Sequence, residues 1–163
     1  DAHPSVPAAI EQAARWLEAA GCEVVEAEPP HFEEGTAVWR QLVGDDLRRG
    51  AQPLIERLGD EGVRSALRGY LHGLPSLDRD QTLELQARRF SLCRDWAVFL
   101  DPDTGGHDVL LMPVSWQRQF ATDADIGPPE AVHRLLAAQS PLLGTAMMGL
   151  PGLSVPTGGL TPW

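Results

Sequence analysis

Side chains that could act as nucleophile and base are present, but they are scattered. The chain carries seven Ser and five His residues among 163. A hydrolytic triad needs a hydroxyl nucleophile, a His base and an orienting carboxylate, and His107 beside Asp108 could supply the last two. No Ser stands in the Gly-flanked turn that exposes a nucleophile in such enzymes. The sequence therefore favours a turn at His107 over a triad.

Metal-ligating residue types show the same lack of pattern. None of the His residues forms a His-x-x-x-His pair, and Cys22 and Cys93 lack metal-ligand spacing. Asp101, Asp103 and Asp108 surround two Gly residues, but the acidic terminal ligand of a calcium loop is missing. We predict a solvated turn there, no metal and no cofactor. Both Cys residues are interpreted as reduced thiols in or near the core.

The charge composition narrows the range of partners. The formal net charge is −10, and all 13 basic residues are Arg, because the sequence contains no Lys. The negative electrostatic field of such a chain repels phosphate backbones and anionic lipid head groups. This disfavours nucleic-acid and membrane roles. No apolar run is long enough to span a bilayer, and no charged-then-apolar leader opens the chain. We therefore predict a cytoplasmic protein.

The spacing of apolar residues predicts a mostly helical chain with three short strands. Helices are predicted over 5–20, 80–100, 128–138 and 140–149, with further amphipathic segments in 32–43 and 63–71. The strands are "CEVVEAEPP", "VLLMPV" and "GLSVPTG", at 22–30, 109–114 and 152–158. Continuous apolarity, as in "VLLMPV", is typical of a strand covered on both faces. These elements predict an α/β layer whose sheet is incomplete.

One group of residues follows these predicted strands and could line a ligand pocket. Ligands of open α/β sheets tend to bind beyond the carboxyl ends of the strands. The residues in that position are Pro113, Ser115, Trp116, Pro156 and Thr157. They are candidates for the wall of a ligand pocket, which the family resemblance described next implies to be an acyl pocket. Plain packing between strand ends and loops is the alternative for each of them.

The order of these features resembles the C-terminal portion of amidase signature enzymes. The resemblance rests on the helix before "AAGCEVVEAEPP", the helix "RRFSLCRDWAVFLD", and above all the ordered pair "DVLLMP" and "GLPGLSVPTG". It covers nearly the whole chain. It implies an incomplete α/β/α sandwich with a few buried strands of a mixed sheet and many helices, so that residues 1–163 form a single partial domain.

The resemblance also implies that the catalytic machinery lies elsewhere. Members of the family take a nucleophilic Ser, a second Ser at a cis peptide and a Lys from the preceding half of the fold. This chain has no Ser-Ser pair and no Lys, so no catalytic residue is expected in it. Ala146 also stands where members often carry Asn. The family sequence normally continues beyond "PTG" into another strand, so we expect the stop after "GLTPW" to fall inside a fold.

Two functional hypotheses follow from this comparison. In the first, the chain is a catalytically incompetent C-terminal fragment of a Ser-dependent amidase, which in complete form hydrolyses the C–N bond of a small amide. In the second, it is a noncatalytic assembly module that pairs with another chain, as an amidotransferase A-type subunit portion would. Both predict that a missing N-terminal half or self-association covers exposed edges. A dimer or larger species is therefore expected.

Overall fold

Helix-starting and helix-stopping residues divide the chain into short α-helices. The structure, a computed structural model, describes residues 2–157. A π-helical turn at Leu47–Ala51 joins the second helix to the third, and a 3-10 turn at Pro102–Thr104 follows the fifth. Within the described residues the helices are α1 (Ser5–Ala19), α2 (Phe32–Asp46), α3 (Gln52–Leu58), α4 (Glu61–Leu71), α5 (Arg79–Phe99), α6 (Pro129–Ala138) and α7 (Ser140–Met148).

The helix ends follow from local chemistry. Asp78 and Gln81 form a capping box at the start of α5, in which each side chain binds the other residue's backbone N–H. The Asp60 carboxylate accepts from the N–H of Val63 at 2.9 Å and starts α4 in the same way. Gly149 ends α7 in the left-handed conformation, with φ of 67°. The predicted helices over 5–20, 80–100, 128–138 and 140–149 are confirmed, and each end is within one residue of its predicted position.

The predicted α/β fold is wrong for the part of the chain that the structure describes. Residues 2–157 contain helices and no strand, so no mixed sheet and no α/β/α sandwich is present there. The three segments predicted as strands have irregular backbone at 22–29, 109–113 and 150–157, and the last residue of "GLSVPTG", Gly158, lies outside the described residues. A strand exists only where a neighbour accepts and donates its backbone hydrogen bonds. The apolar pattern predicted burial, but these segments do not pair with one another.

The main core lies between α2, α5 and α7. Leu92 and Trp96 of α5 are fully buried, and Val38, Leu42, Met147 and Met148 surround them. The indole Nε1 of Trp96 donates a 2.7 Å hydrogen bond to the carbonyl of Pro30, which attaches the segment before α2 to this core. The opposite side of α5 is not covered: Leu83 is 56% and Phe90 is 67% exposed there. The core therefore covers only one side of α5.

Small residues let the helices approach closely. A Cβ added to Gly35 of α2 would lie 2.6 Å from Cε of Met148 in α7. A Cβ added to Gly69 of α4 would overlap a methyl group of Val132 in α6. A larger residue at either site would therefore require its neighbour to move, which the flexible end of Met148 can do more readily than the β-branched side chain of Val132. Val132, Leu136 and Leu143 form the second buried cluster there.

Candidate functional site

The predicted pocket residues fall into two groups. Ser115 and Trp116 dock onto the junction between α6 and α7: Ser115 Oγ and the Trp116 backbone N–H both donate to the carbonyl of Ala138, at 3.1 and 2.8 Å. The indole Nε1 of Trp116 donates to Ser140 Oγ at 2.9 Å. These bonds satisfy a carbonyl at the end of α6 that has no partner within its own helix. Both side chains therefore attach this segment to the junction between α6 and α7.

The other three predicted residues make no comparable contacts. Pro113 is half-buried two residues before Ser115, Pro156 is exposed, and Thr157 is half-buried at the end of the described residues. No hydrogen bond or ring contact within residues 2–157 joins this last pair to Ser115 or Trp116. A cleft of about 430 Å³ adjoins Ala138 and is lined by residues of 117–124 and of α6, none of which was predicted. An acyl-pocket role for the five residues stays a prediction.

The structure brings one Ser and one His together, at the start of α1. Ser5 Oγ lies 2.8 Å from Nδ1 of His3, and the backbone N–H of Ser5 donates to the same nitrogen at 3.2 Å. Both side chains are in an exposed local turn, and no carboxylate within the described residues contacts His3. His107 instead packs edge-on against the ring of Phe99, with centroids 4.8 Å apart. Neither His is therefore placed as the base of a triad.

The thiols and acidic residues do not form a metal site either. Within residues 2–157 no group of three or more His, Cys, Asp or Glu is arranged to hold a metal ion. Cys22 is exposed, so its interpretation as a core thiol is wrong, whereas Cys93 is half-buried beside the main core. The residues around 101–108 form a turn in which Asp101 accepts from the backbone N–H of Asp103 at 3.0 Å.

An ion-pair cluster links the start of α2 to α5. The guanidinium of Arg88 donates to both carboxylate oxygens of Glu34 at 2.6 Å each. His31, in the left-handed conformation just before α2, lies 3.7 Å from Glu34 and 3.5 Å from Asp95. The hydrogen bond from Arg88 lowers the pKa of Glu34, although partial burial of the carboxyl acts in the opposite direction.

This lowered pKa predicts a pH dependence of stability. A carboxyl group whose pKa is lower in the folded state stabilises the fold at pH values above its unfolded pKa and loses that contribution as the pH falls. We expect E34Q to be less stable than the native chain near pH 7, and the difference to shrink as the pH falls below 4.5. Urea unfolding at several pH values measures this, with E33Q, the same change at an exposed neighbour, as the control. A difference that grows in acid would contradict the assignment.

The most open surface of the molecule lies on two of the irregular segments. Val109 is 77% and Leu153 is 88% exposed, and Val155 and Val114, the residue after the first segment, are also more than half exposed. Leu110 and Leu150, in contrast, pack against the main core. Within residues 2–157 no backbone hydrogen bond involves 109–113 or 150–157. Leu110 and Leu150 therefore attach the two segments to the core, and the exposed residues of 109–113 and 150–157 present apolar side chains and backbone groups without a protein partner.

A second cleft, of about 300 Å³, lies at α3 and α4 and was not predicted from the sequence. Its lining includes Arg48, Arg64, Arg68 and His72. The signal that sequence reasoning missed is the spacing of the last three, four residues apart, which places them on one face of α4 and its end. This cleft has three guanidinium groups in a chain whose net charge is −10.

Comparison with known proteins identifies no relative of this chain. No family model matches the sequence, and no curated protein or solved structure matches it. None of the helices within residues 2–157 has the length and apolar character required to cross a bilayer. The resemblance to amidase signature enzymes therefore stays a prediction that rests on the motifs themselves.

Proposed function

We propose that this chain is a noncatalytic portion of an amidase signature hydrolase, which binds the polypeptide carrying the nucleophilic Ser and the Lys of that family. One observation carries the proposal. The two motifs on which the resemblance rests, "DVLLMP" and "GLPGLSVPTG", coincide with the two segments that expose apolar side chains and free backbone groups. A soluble chain on its own rarely presents such surface without a partner to cover it.

The chemistry of the chain supports a noncatalytic role. Activating a Ser nucleophile requires a base within hydrogen-bonding distance, and this sequence has no Lys to serve as the family's base. None of three described His residues replaces it: His3 contacts Ser5 but no described carboxylate, His31 contacts Asp95 but no described Ser, and His107 packs against Phe99. The complete protein would hydrolyse the C–N bond of a small amide, and this portion would contribute scaffold. A cytoplasmic location is part of the proposal.

The partner could be joined in one polypeptide or supplied by a second chain. In the second arrangement the chain acts as an assembly module, as in an amidotransferase complex, and the same two segments form its interface. Free backbone N–H and C=O groups in 109–113 and 150–157 would hydrogen bond to the partner's backbone. Val109, Leu153 and Val155 would be covered by its apolar side chains. The exposed face of α5 at Leu83 and Phe90 offers further apolar contact area.

Sedimentation of the isolated chain tests this proposal. Without the Ser- and Lys-bearing polypeptide, we expect copies of the chain to cover these segments by associating with one another. Sedimentation velocity over a range of concentrations should therefore show dimers or larger species. A cooperative, well-folded monomer at every concentration would contradict the proposal, because the segments would then be stable without a partner.

A further inference from the structure

The exposed side of α5 carries an apolar stripe along most of the helix. Leu83, Phe90 and Val98 are 56%, 67% and 57% exposed. They are seven and eight residues apart, about two helical turns each time, so they share one side of this 21-residue helix. Leu92 and Trp96 face the core from the other side. The stripe therefore has no cover among the described residues.

The positions of these three residues are nearly symmetric about Phe90. Leu83 lies seven residues before Phe90 and Val98 eight residues after it. If two copies of α5 pair antiparallel with their Phe90 residues opposite each other, Leu83 of each copy lies opposite Val98 of the other. Ala87 and Ala97 are exposed on the same side, and their small side chains let two helix backbones approach. The stripe is therefore complementary to a second copy of itself.

The charged residues beside the stripe fit the same arrangement. Glu84 lies six residues before Phe90 and Arg94 four after it, so in the antiparallel pair their heights differ by about 3 Å, which an Arg side chain spans. Glu84 has no ion pair among the described residues. Arg94 is 76% exposed and contacts only the adjacent Asp95, at 3.4 Å. A parallel pair would instead place each charge beside its own copy, which is unfavourable.

The two segments of the proposed interface begin next to α5. The backbone N–H of His107, just before 109–113, donates to the carbonyl of Phe99 at 2.9 Å. Arg89 donates to the carbonyl of Met147 at 3.0 Å, near the end of α7, from which 150–157 continues. A stable interface buries about 1,200–2,000 Å² in total, and the few side chains of one helix pair supply only part of that area. The stripe and the two segments therefore suit a single interface.

We propose that two copies of this chain pair through α5, with the helices antiparallel and the two Phe90 rings at the centre. Leu83 of each copy packs against Val98 of the other, and Glu84 of each copy forms an ion pair with Arg94 of the other. This pairing rests on the proposed function, under which the isolated chain associates to cover its exposed segments. It adds the helix at the centre of that association and the relative direction of the two helices.

Exchanging the charges of Glu84 and Arg94 tests the pairing by sedimentation velocity. E84R and R94E each bring like charges together at both ends of the helix pair, and we expect each to weaken association by about tenfold. The double variant E84R/R94E restores opposite charges and should associate like the native chain. Net charge alone predicts otherwise, because E84R makes the acidic chain less negative. The control E18R makes the same change on exposed α1 and should not weaken association.

A substitution at the centre of the stripe gives a second readout. F90D places a carboxylate in the middle of the helix pair and is expected to weaken association by more than about a hundredfold. These effects concern association and not the stability of the dilute, dissociated chain. Circular dichroism should show native helix content in every variant, because the substituted side chains lie outside the core.

The possible results separate this pairing from the proposed function. If the native chain associates and E84R, R94E and F90D associate equally well, the pairing through α5 is overturned, while the proposed function stands. Weakening in F90D alone, or no recovery in E84R/R94E, would overturn the antiparallel arrangement. A native chain that is monomeric at every concentration would contradict the proposed function itself, and the pairing with it.

Discussion

Replacing Trp96 with Ala is expected to lower the free energy of unfolding by about 3–5 kcal/mol, the range for large-to-small changes at buried aromatic residues. Trp96 is fully buried, and it joins α5 to α2, α7 and the carbonyl of Pro30. The Ala variant loses the packing and also leaves that carbonyl without its donor. A domain of this size is stable by only about 5–15 kcal/mol in total, so the variant should be close to unfolding.

Urea unfolding measures this effect, and two further variants serve as comparisons. W96F keeps an aromatic ring but removes the hydrogen bond to Pro30, so we expect it to cost less, about 1–3 kcal/mol. F90A alters an exposed aromatic residue on the same helix and should change stability by less than about 1 kcal/mol. If W96A were as stable as F90A, Trp96 would not be the centre of the core.

Introducing Asp at Val109 and at Leu153 together is expected to abolish association of the chain. Both side chains are among the most exposed apolar groups of the molecule, and each lies in a segment without backbone partners. A carboxylate buried without a partner in an interface carries a desolvation cost of several kcal/mol, which corresponds to a weakening of more than about a hundredfold. The double variant should sediment as a monomer at concentrations where the native chain is associated.

A control separates this effect from added charge alone. L58D places the same carboxylate at a residue of α3 that is 71% exposed and outside the proposed interface. We expect L58D to associate like the native chain. Circular dichroism should show native helix content in both variants, because neither change touches the main core. Loss of association in L58D as well would assign the effect to net charge and would contradict the interface.

The helices could be predicted from the sequence because their signals are local. Gly149, the capping pair Asp78 and Gln81, and the proline at 129 set helix ends through contacts within a few residues. Leu92 and Trp96 are four residues apart in α5, so they share the helix face that the core buries. Burial of the other face was not predictable, because whether Leu83 and Phe90 are covered depends on what packs there.

The absence of strands from residues 2–157 could not be predicted, because a strand forms only when two segments pair their backbones. "VLLMPV" and "GLSVPTG" have strand-like composition, but a backbone pairs only when another segment offers matching donors and acceptors. Among the described residues none does so. The same reasoning explains Ser115 and Trp116, whose partners Ala138 and Ser140 are more than 20 positions away in the chain. Side-chain types gave no indication of these long-range contacts.

Amide hydrolysis by the purified chain tests the central claim most directly. The chain lacks the Lys base of the family, and the Ser5–His3 pair has no described carboxylate to orient the imidazole. With simple aryl and alkyl amides as substrates, we expect no rate above the uncatalysed reaction. Saturable hydrolysis that an active-site Ser reagent abolishes would contradict the claim that this chain is noncatalytic.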